Sequence, residues 1–175
     1  MYAPSARAIA PAASSALTLC EWPARSAPTD AMTLAKGLGG GLPIGALVMG
    51  PRVADVFEPG DHGSTFAGGP VASAAAHAAL DVIDDPALLA SVRAQGERLL
   101  DGLRGLDGVV SVRGRGLMIA AELNRDDAPD LARRALLEQR LIINATGPST
   151  LRFLPPLVVS EAEIDEALSR LAAIL

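Results

Sequence analysis

Apolar residues recur along the second half of the chain at two spacings, and the change of spacing marks the elements. Leu88, Leu89, Val92, Leu99, Leu100 and Leu103 fall at helical intervals, which predicts an amphipathic helix over residues 86–104. Asp84-Asp85-Pro86 stops the preceding element and starts this helix, with Asp85 as N-cap and Pro86 in the first turn. Ile164, Leu168, Leu171 and Leu175 mark one face of a C-terminal helix, opened by a capping box of Ser160 and Glu163. Residues 129–139 read as a further helix. Short apolar runs at 109–112, 117–123, 141–144 and 151–153 predict strands, the first two joined around Arg113-Gly114-Arg115-Gly116.

Nearer the start, residues 31–35 predict a short buried strand or strand end, and residues 44–49 a second strand closed by Gly50-Pro51. Gly37-Leu38-Gly39-Gly40-Gly41 between them reads as a loop, because so many glycines are costly to order in a regular element. Residues 53–57 read as a helical turn and residues 60–69 as another loop. Pro70 then suits the first turn of an Ala- and Val-rich helix over 71–83, expected to be buried on several sides. Residues 1–29 have weak periodicity and many Ala, Ser and Pro, and are expected to be irregular. Strands and helices mix, so the class is α/β: residues 30–104 form one part and residues 105–175 a small α+β domain. No internal repeat is present.

Composition narrows the function. The 175 residues are 50% hydrophobic, enough for one sizeable core or a small domain plus part of another. No apolar run is long and clean enough to span a bilayer, and Pro4 and Pro11 interrupt any signal peptide, so a cytoplasmic protein is expected. With net charge −5, scattered cations and few aromatics, a basic groove with stacking platforms is not foreseen, and nucleic acid is not an expected partner. One cysteine, Cys20, cannot form an internal disulfide, and His62 and His77 are too few to suggest zinc; both histidines read as structural. Of the 15 cationic residues, 14 are Arg, and the one lysine, Lys36, sits in an apolar, glycine-rich segment where a solvated surface does not need it.

That segment, Thr33 through Gly41, is the first candidate site. A lysine that condenses with a carbonyl must be partly neutral, and its free pKa is about 10.4. Burial among apolar groups would lower it, and flanking glycines would let a bulky cofactor approach. A snorkelling lysine beside a flexible turn is the competing reading. Walker A fails because the lysine precedes the glycines, and the Rossmann fingerprint fails because no later glycine or amphipathic helix follows. His62-Gly63-Ser64-Thr65-Phe66-Ala67-Gly68-Gly69-Pro70 is the second candidate. Hydroxyls and backbone N–H groups before a helix suit a phosphate, although an ordinary capped loop has the same composition.

The segments Leu34-Ala35-Lys36-Gly37-Leu38-Gly39-Gly40-Gly41-Leu42-Pro43-Ile44-Gly45-Ala46 and Gly63-Ser64-Thr65-Phe66-Ala67-Gly68-Gly69-Pro70 resemble class III aminotransferases. Arg113-Gly114-Arg115-Gly116-Leu117-Met118 and Leu151-Arg152-Phe153-Leu154-Pro155-Pro156-Leu157 fit the same family's C-terminal region. Within the class the acetylornithine/succinyldiaminopimelate group is nearest, with ornithine aminotransferases next, and the resemblance runs from about residue 30 to the end. It implies a fold-type I transferase: the C-terminal part of a large domain over 30–104, then the small domain. It also implies a pyridoxal 5'-phosphate cofactor, amino-acid and 2-oxo-acid substrates, and a homodimer. On the same basis Lys36 would form the Schiff base with the cofactor and shuttle the substrate proton. Thr65 would bind the cofactor phosphate, in the neighbouring subunit's site, and Ser64 would lie near substrate. Arg152 would lie near the substrate carboxylate, with a structural ion pair as its competing role. Arg113 and Arg115 read as structural.

The pattern also departs from the family. Residues 1–29 contain no Asp-Glu-Val-Gln-Thr-Gly-like motif, whose Asp would pair with the pyridine nitrogen. The family's phosphate loop, ring-stacking aromatic and α-carboxylate Arg would also lie upstream. The reading frame is therefore expected to begin inside a frameshifted or truncated gene, with Cys20-Glu21-Trp22 back in frame. Three functions follow: transamination between N-acetylornithine and 2-oxoglutarate in arginine biosynthesis, a non-catalytic remnant of such an enzyme, or transamination of another ω-amino acid such as ornithine.

Overall fold

The computed structural model describes residues 30–61 and 63–175. The expectations for residues 1–29 and for His62 lie outside the described residues. Contacts divide the chain into two compact units that meet between Asp85 and Pro86.

In the first unit, β1 (Ala31–Leu34) pairs antiparallel with β2 (Ala46–Met49), with Leu34 opposite Ala46. A 3-10 turn over Lys36–Gly39 and the glycines after it make the connection. Gly40 and Gly41 take φ values of 57° and 112°, a region open to glycine at little cost. β1 is predicted buried, yet Ala31 and Thr33 are exposed. After turns over residues 51–56, helix α1 (Pro70–Ile83) begins with proline in its first turn, as the sequence predicts. Burial on several sides does not occur. Only Ala76 and Leu80 of α1 are buried, while Val71 is 73% exposed, because within its unit the helix is covered along one stripe.

The second unit is a four-stranded antiparallel sheet in the order β3 (Val109–Arg115), β4 (Met118–Leu123), β6 (Thr150–Phe153) and β5 (Asn144–Ala145), with helices packed on one face. Helix α2 (Pro86–Arg104) has the predicted bounds and buries Leu89, Val92, Leu99, Leu100 and Leu103. It packs on β3 (Val109–Arg115), β4 (Met118–Leu123) and α4 (Glu161–Ala172). In sequence α2 groups with the residues before it. In the structure its apolar stripe is satisfied by the elements that follow, which moves it into the second unit. Gly96 of α2 is buried where the β3–β4 turn crosses the helix, and a Cβ there would lie 2.7 Å from the Gly116 carbonyl carbon. That contact requires glycine.

Alternation sets the two faces of the sheet. Ile119, Ala121 and Leu123 of β4, with Leu151 and Phe153 of β6 (Thr150–Phe153), point to the helices and are buried. α3 (Ala128–Gln139) ends at Arg140 in left-handed conformation, φ 53°. The predicted strand over 141–144 is shorter. The Leu141 N–H donates to Ala135 O at 2.9 Å to close the helix, so the ladder of β5 holds only Asn144–Ala145. α4 opens with the predicted capping box. Glu163 N–H donates to Ser160 Oγ at 3.3 Å, and Ser160 N–H to Glu163 Oε2 at 2.8 Å. Ser160→Ala should lower the unfolding free energy by about 1 kcal/mol, read from the urea midpoint; an unchanged midpoint would mean that the cap is dispensable. No described helix is long and apolar enough to cross a membrane.

Candidate active site

Lys36 stands at the exit of β1. Ala35 is extended (φ −161°, ψ −163°), and the backbone then turns abruptly at Lys36, whose φ is 55°. Left-handed backbone costs a residue with a Cβ about 1 kcal/mol or more. Among the described residues, only Lys36 and Arg140 of the non-glycine residues adopt it. Arg140 ends a helix, where that conformation recurs. Lys36 begins a turn and has no such reason, and residues held this way concentrate at functional sites.

The turn is anchored from below. Leu38, 8% exposed, packs with Ala76 and Leu80 of α1, and Leu34, Ile44 and Ala46 close around them. Gly39 lies under the same lid: a Cβ there would sit 2.8 Å from Ile44 Cγ2. Among the described residues, nothing beyond its chain neighbours lies within 4 Å of where a Gly37 Cβ would be, so that side of the turn is open. The apolar surroundings in sequence predict a buried amine. Instead Leu38 and Gly39 take the buried positions, and Lys36 faces outward, exposed.

Ser64 and Thr65 lie in turns that lead into α1, with Ala67 N–H to Ser64 O at 3.2 Å and Gly69 N–H to Phe66 O at 3.3 Å. Both residues are exposed, as is Phe66 at 89%. This loop joins α1 at Pro70, whereas the Lys36 turn meets α1 around Ala76 to Leu80. At about 1.5 Å per residue, those two attachment points are roughly 10–15 Å apart along the helix axis. His77 is exposed on α1.

Arg152 lies on the sheet face of the second unit that carries no helix. The register sets Arg113, Ala120, Arg152 and Asn144 side by side across all four strands. Arg113 is paired with Glu122 at 3.3 Å, in keeping with a structural role. Arg152 forms no ion pair among the described residues; its Nη2 donates to Asn144 Oδ1 at 3.0 Å. Among the described residues, the structural ion pair that competes for Arg152 in the sequence is not formed. Asn144 carries no signal in the sequence, since only the ladder shows that it faces Arg152.

Glu122 is the acid of this face. Hydrogen bonds from the Ser149 and Thr150 hydroxyls, then from Arg113, hold its carboxyl below the usual range. A depressed folded-state pKa adds stability above the unfolded value, lost as pH falls through the folded value. The stability gap between the native chain and Glu122→Gln should thus be widest near neutral pH and shrink as pH drops below about 4.5. Denaturant unfolding at pH 7, 5 and 3.5 measures it, and a gap independent of pH would refute the assignment.

Residues 19–175 match the family described as Aminotransferase class-III. The acetylornithine aminotransferase of Bifidobacterium longum is 46% identical over 143 residues, which cover 80% of this chain and 33% of that protein. The chain thus spans about a third of the length of such curated relatives. Among solved structures, the N-acetylornithine aminotransferase of Stenotrophomonas maltophilia superposes with TM-score 0.75 at 36% identity, covering 88% of this chain and 41% of that one. The ornithine aminotransferase of Toxoplasma gondii, described with partial occupancy of PLP at its active site, superposes with TM-score 0.74 at 34% identity, covering 85% and 36%.

Proposed function

The chain belongs to the class III aminotransferases, and from that premise we propose that it carries the lysine-bearing half of a transaminase site. The reaction is amino transfer between N-acetylornithine and 2-oxoglutarate, in arginine biosynthesis and in the cytoplasm, with pyridoxal phosphate as cofactor. The observation that carries this reading is the backbone of Lys36: the chain's one lysine, in left-handed conformation, an exposed residue on an anchored turn.

The donor set fits the group. A primary amine suits an aldehyde, exposed loop hydroxyls suit a phosphate, and a guanidinium with no ion pair among the described residues suits a carboxylate. When bound, pyridoxal phosphate supplies the electron sink that lets a Cα–H bond ionise. Lys36 Nζ would hold the cofactor and, when free, carry the proton at the substrate Cα as general base and acid. Thr65 would bind the phosphate, Ser64 would lie beside substrate, and Arg152 would take a substrate carboxylate. As the family resemblance implies, the Ser64-Thr65 loop would serve the site of a second copy, which makes the working unit a homodimer.

A second reading is a non-catalytic remnant of such an enzyme. Glutamate formation from 2-oxoglutarate, with N-acetylornithine or ornithine as donor, tests both. Turnover faster with N-acetylornithine is the expected result. Faster turnover with ornithine changes the donor, and cofactor fixed on Lys36 without turnover selects the remnant.

A further inference from the structure

Arg113 and Arg152 stand on the open sheet face, and they are treated differently. Arg113 has a carboxylate, Glu122, which also accepts hydrogen bonds from the Ser149 and Thr150 hydroxyls. Arg152 has the Asn144 carboxamide, and small Ala120 lies between the two arginines. An arginine side chain only donates, so the Asn144 atom that meets it is the carbonyl oxygen. A neutral acceptor fixes the direction of the guanidinium fork but leaves its full charge and its other N–H groups for an incoming anion. An aspartate at the same place would neutralise it. The contact depends on a ladder of two residues, in which Asn144 is directly opposite Arg152.

We propose that Asn144 is the positioning residue for Arg152, orienting the guanidinium toward a dicarboxylate substrate while leaving its charge unneutralised. This rests on the reading of Arg152 as the substrate-carboxylate residue and adds the group that prepares it. The order of two variants separates this role from simple packing. If Asn144 only held the strand, Asn144→Asp, of the same shape, would be milder than Asn144→Ala. If it prepares a charged receptor, the aspartate is the worse of the two.

The test needs neither cofactor nor turnover. The chain is labelled with nitrogen-15 arginine, and the Arg152 Nε–Hε resonance is identified by its loss in Arg152→Lys. It is then titrated with 2-oxoglutarate. A saturable shift is expected for the native chain. Asn144→Asp should bind about fivefold more weakly, the scale of an exposed Arg–carboxylate pair, and Asn144→Ala about twofold more weakly. Equal affinities, a weaker Asn144→Ala, or no shift in the native chain would overturn the inference. If Lys36 takes no cofactor but this order holds, the proposed activity fails and the role of Asn144 stands. If Lys36 takes cofactor and the order fails, the reverse is true.

Discussion

Lys36→Ala is expected to abolish the pyridoxyl mass increment that borohydride fixes on the native chain after incubation with pyridoxal phosphate. Borohydride makes the carbon–nitrogen bond permanent wherever a primary amine has condensed with the aldehyde. The chain offers one lysine, so peptide mapping has one internal position to report. The α-amino group is the other primary amine, and its adduct serves as an internal measure of non-specific condensation. A Lys36 adduct that forms at far lower cofactor concentration than the terminal one marks a built site. Equal labelling of the two would mean that the turn confers nothing beyond an exposed amine. Lys36→Arg, which keeps charge and bulk, should behave as Lys36→Ala does, because a guanidinium does not condense under these conditions.

Leu103→Ala should cost the second unit about 3 kcal/mol, within the range for a leucine emptied from a packed core. Leu103 is fully buried on the stripe that α2 presents to the sheet and α4. Truncation removes its transfer free energy and leaves a hole that close neighbours cannot fill. The control is Leu137→Ala on α3, where the side chain is 67% exposed and the change should stay within about 0.5 kcal/mol. Denaturant midpoints of the two variants should differ clearly. A small loss at Leu103 would mean that α2 is not the central helix of its unit.

Much of the second unit was legible in the sequence. α2 has its predicted bounds and the Ser160-Glu163 box is formed, because helical periodicity and caps are local signals. Burial in the first unit was not legible. The composition of α1 and the segment around Lys36 looks internal, yet within this chain one stripe of α1 is covered and Lys36 faces out. Apolar composition records what a segment can tolerate, whereas burial depends on which layers lie over it. The contacts of α2 with the elements that follow it were not legible for a similar reason: the partner of an amphipathic face is set by tertiary contacts that spacing does not encode. At the candidate site, the motifs named Lys36, Ser64, Thr65 and Arg152. Left-handed backbone at a lysine and the Asn144 contact needed coordinates, since one is a dihedral angle and the other depends on strand register.

Left-handed geometry at Lys36 also bears on how the chain would drift. A glycine there would meet no Cβ penalty, so thermodynamic stability and reactivity pull this codon in opposite directions. In a copy released from any chemical demand, nothing opposes replacement, and the first substitutions tolerated would include ones that make the fold sturdier. Strain-to-strain sequencing of this locus therefore reads the same question as the bench: an invariant lysine marks a gene still under selection for its chemistry, and a scattered position marks a relic.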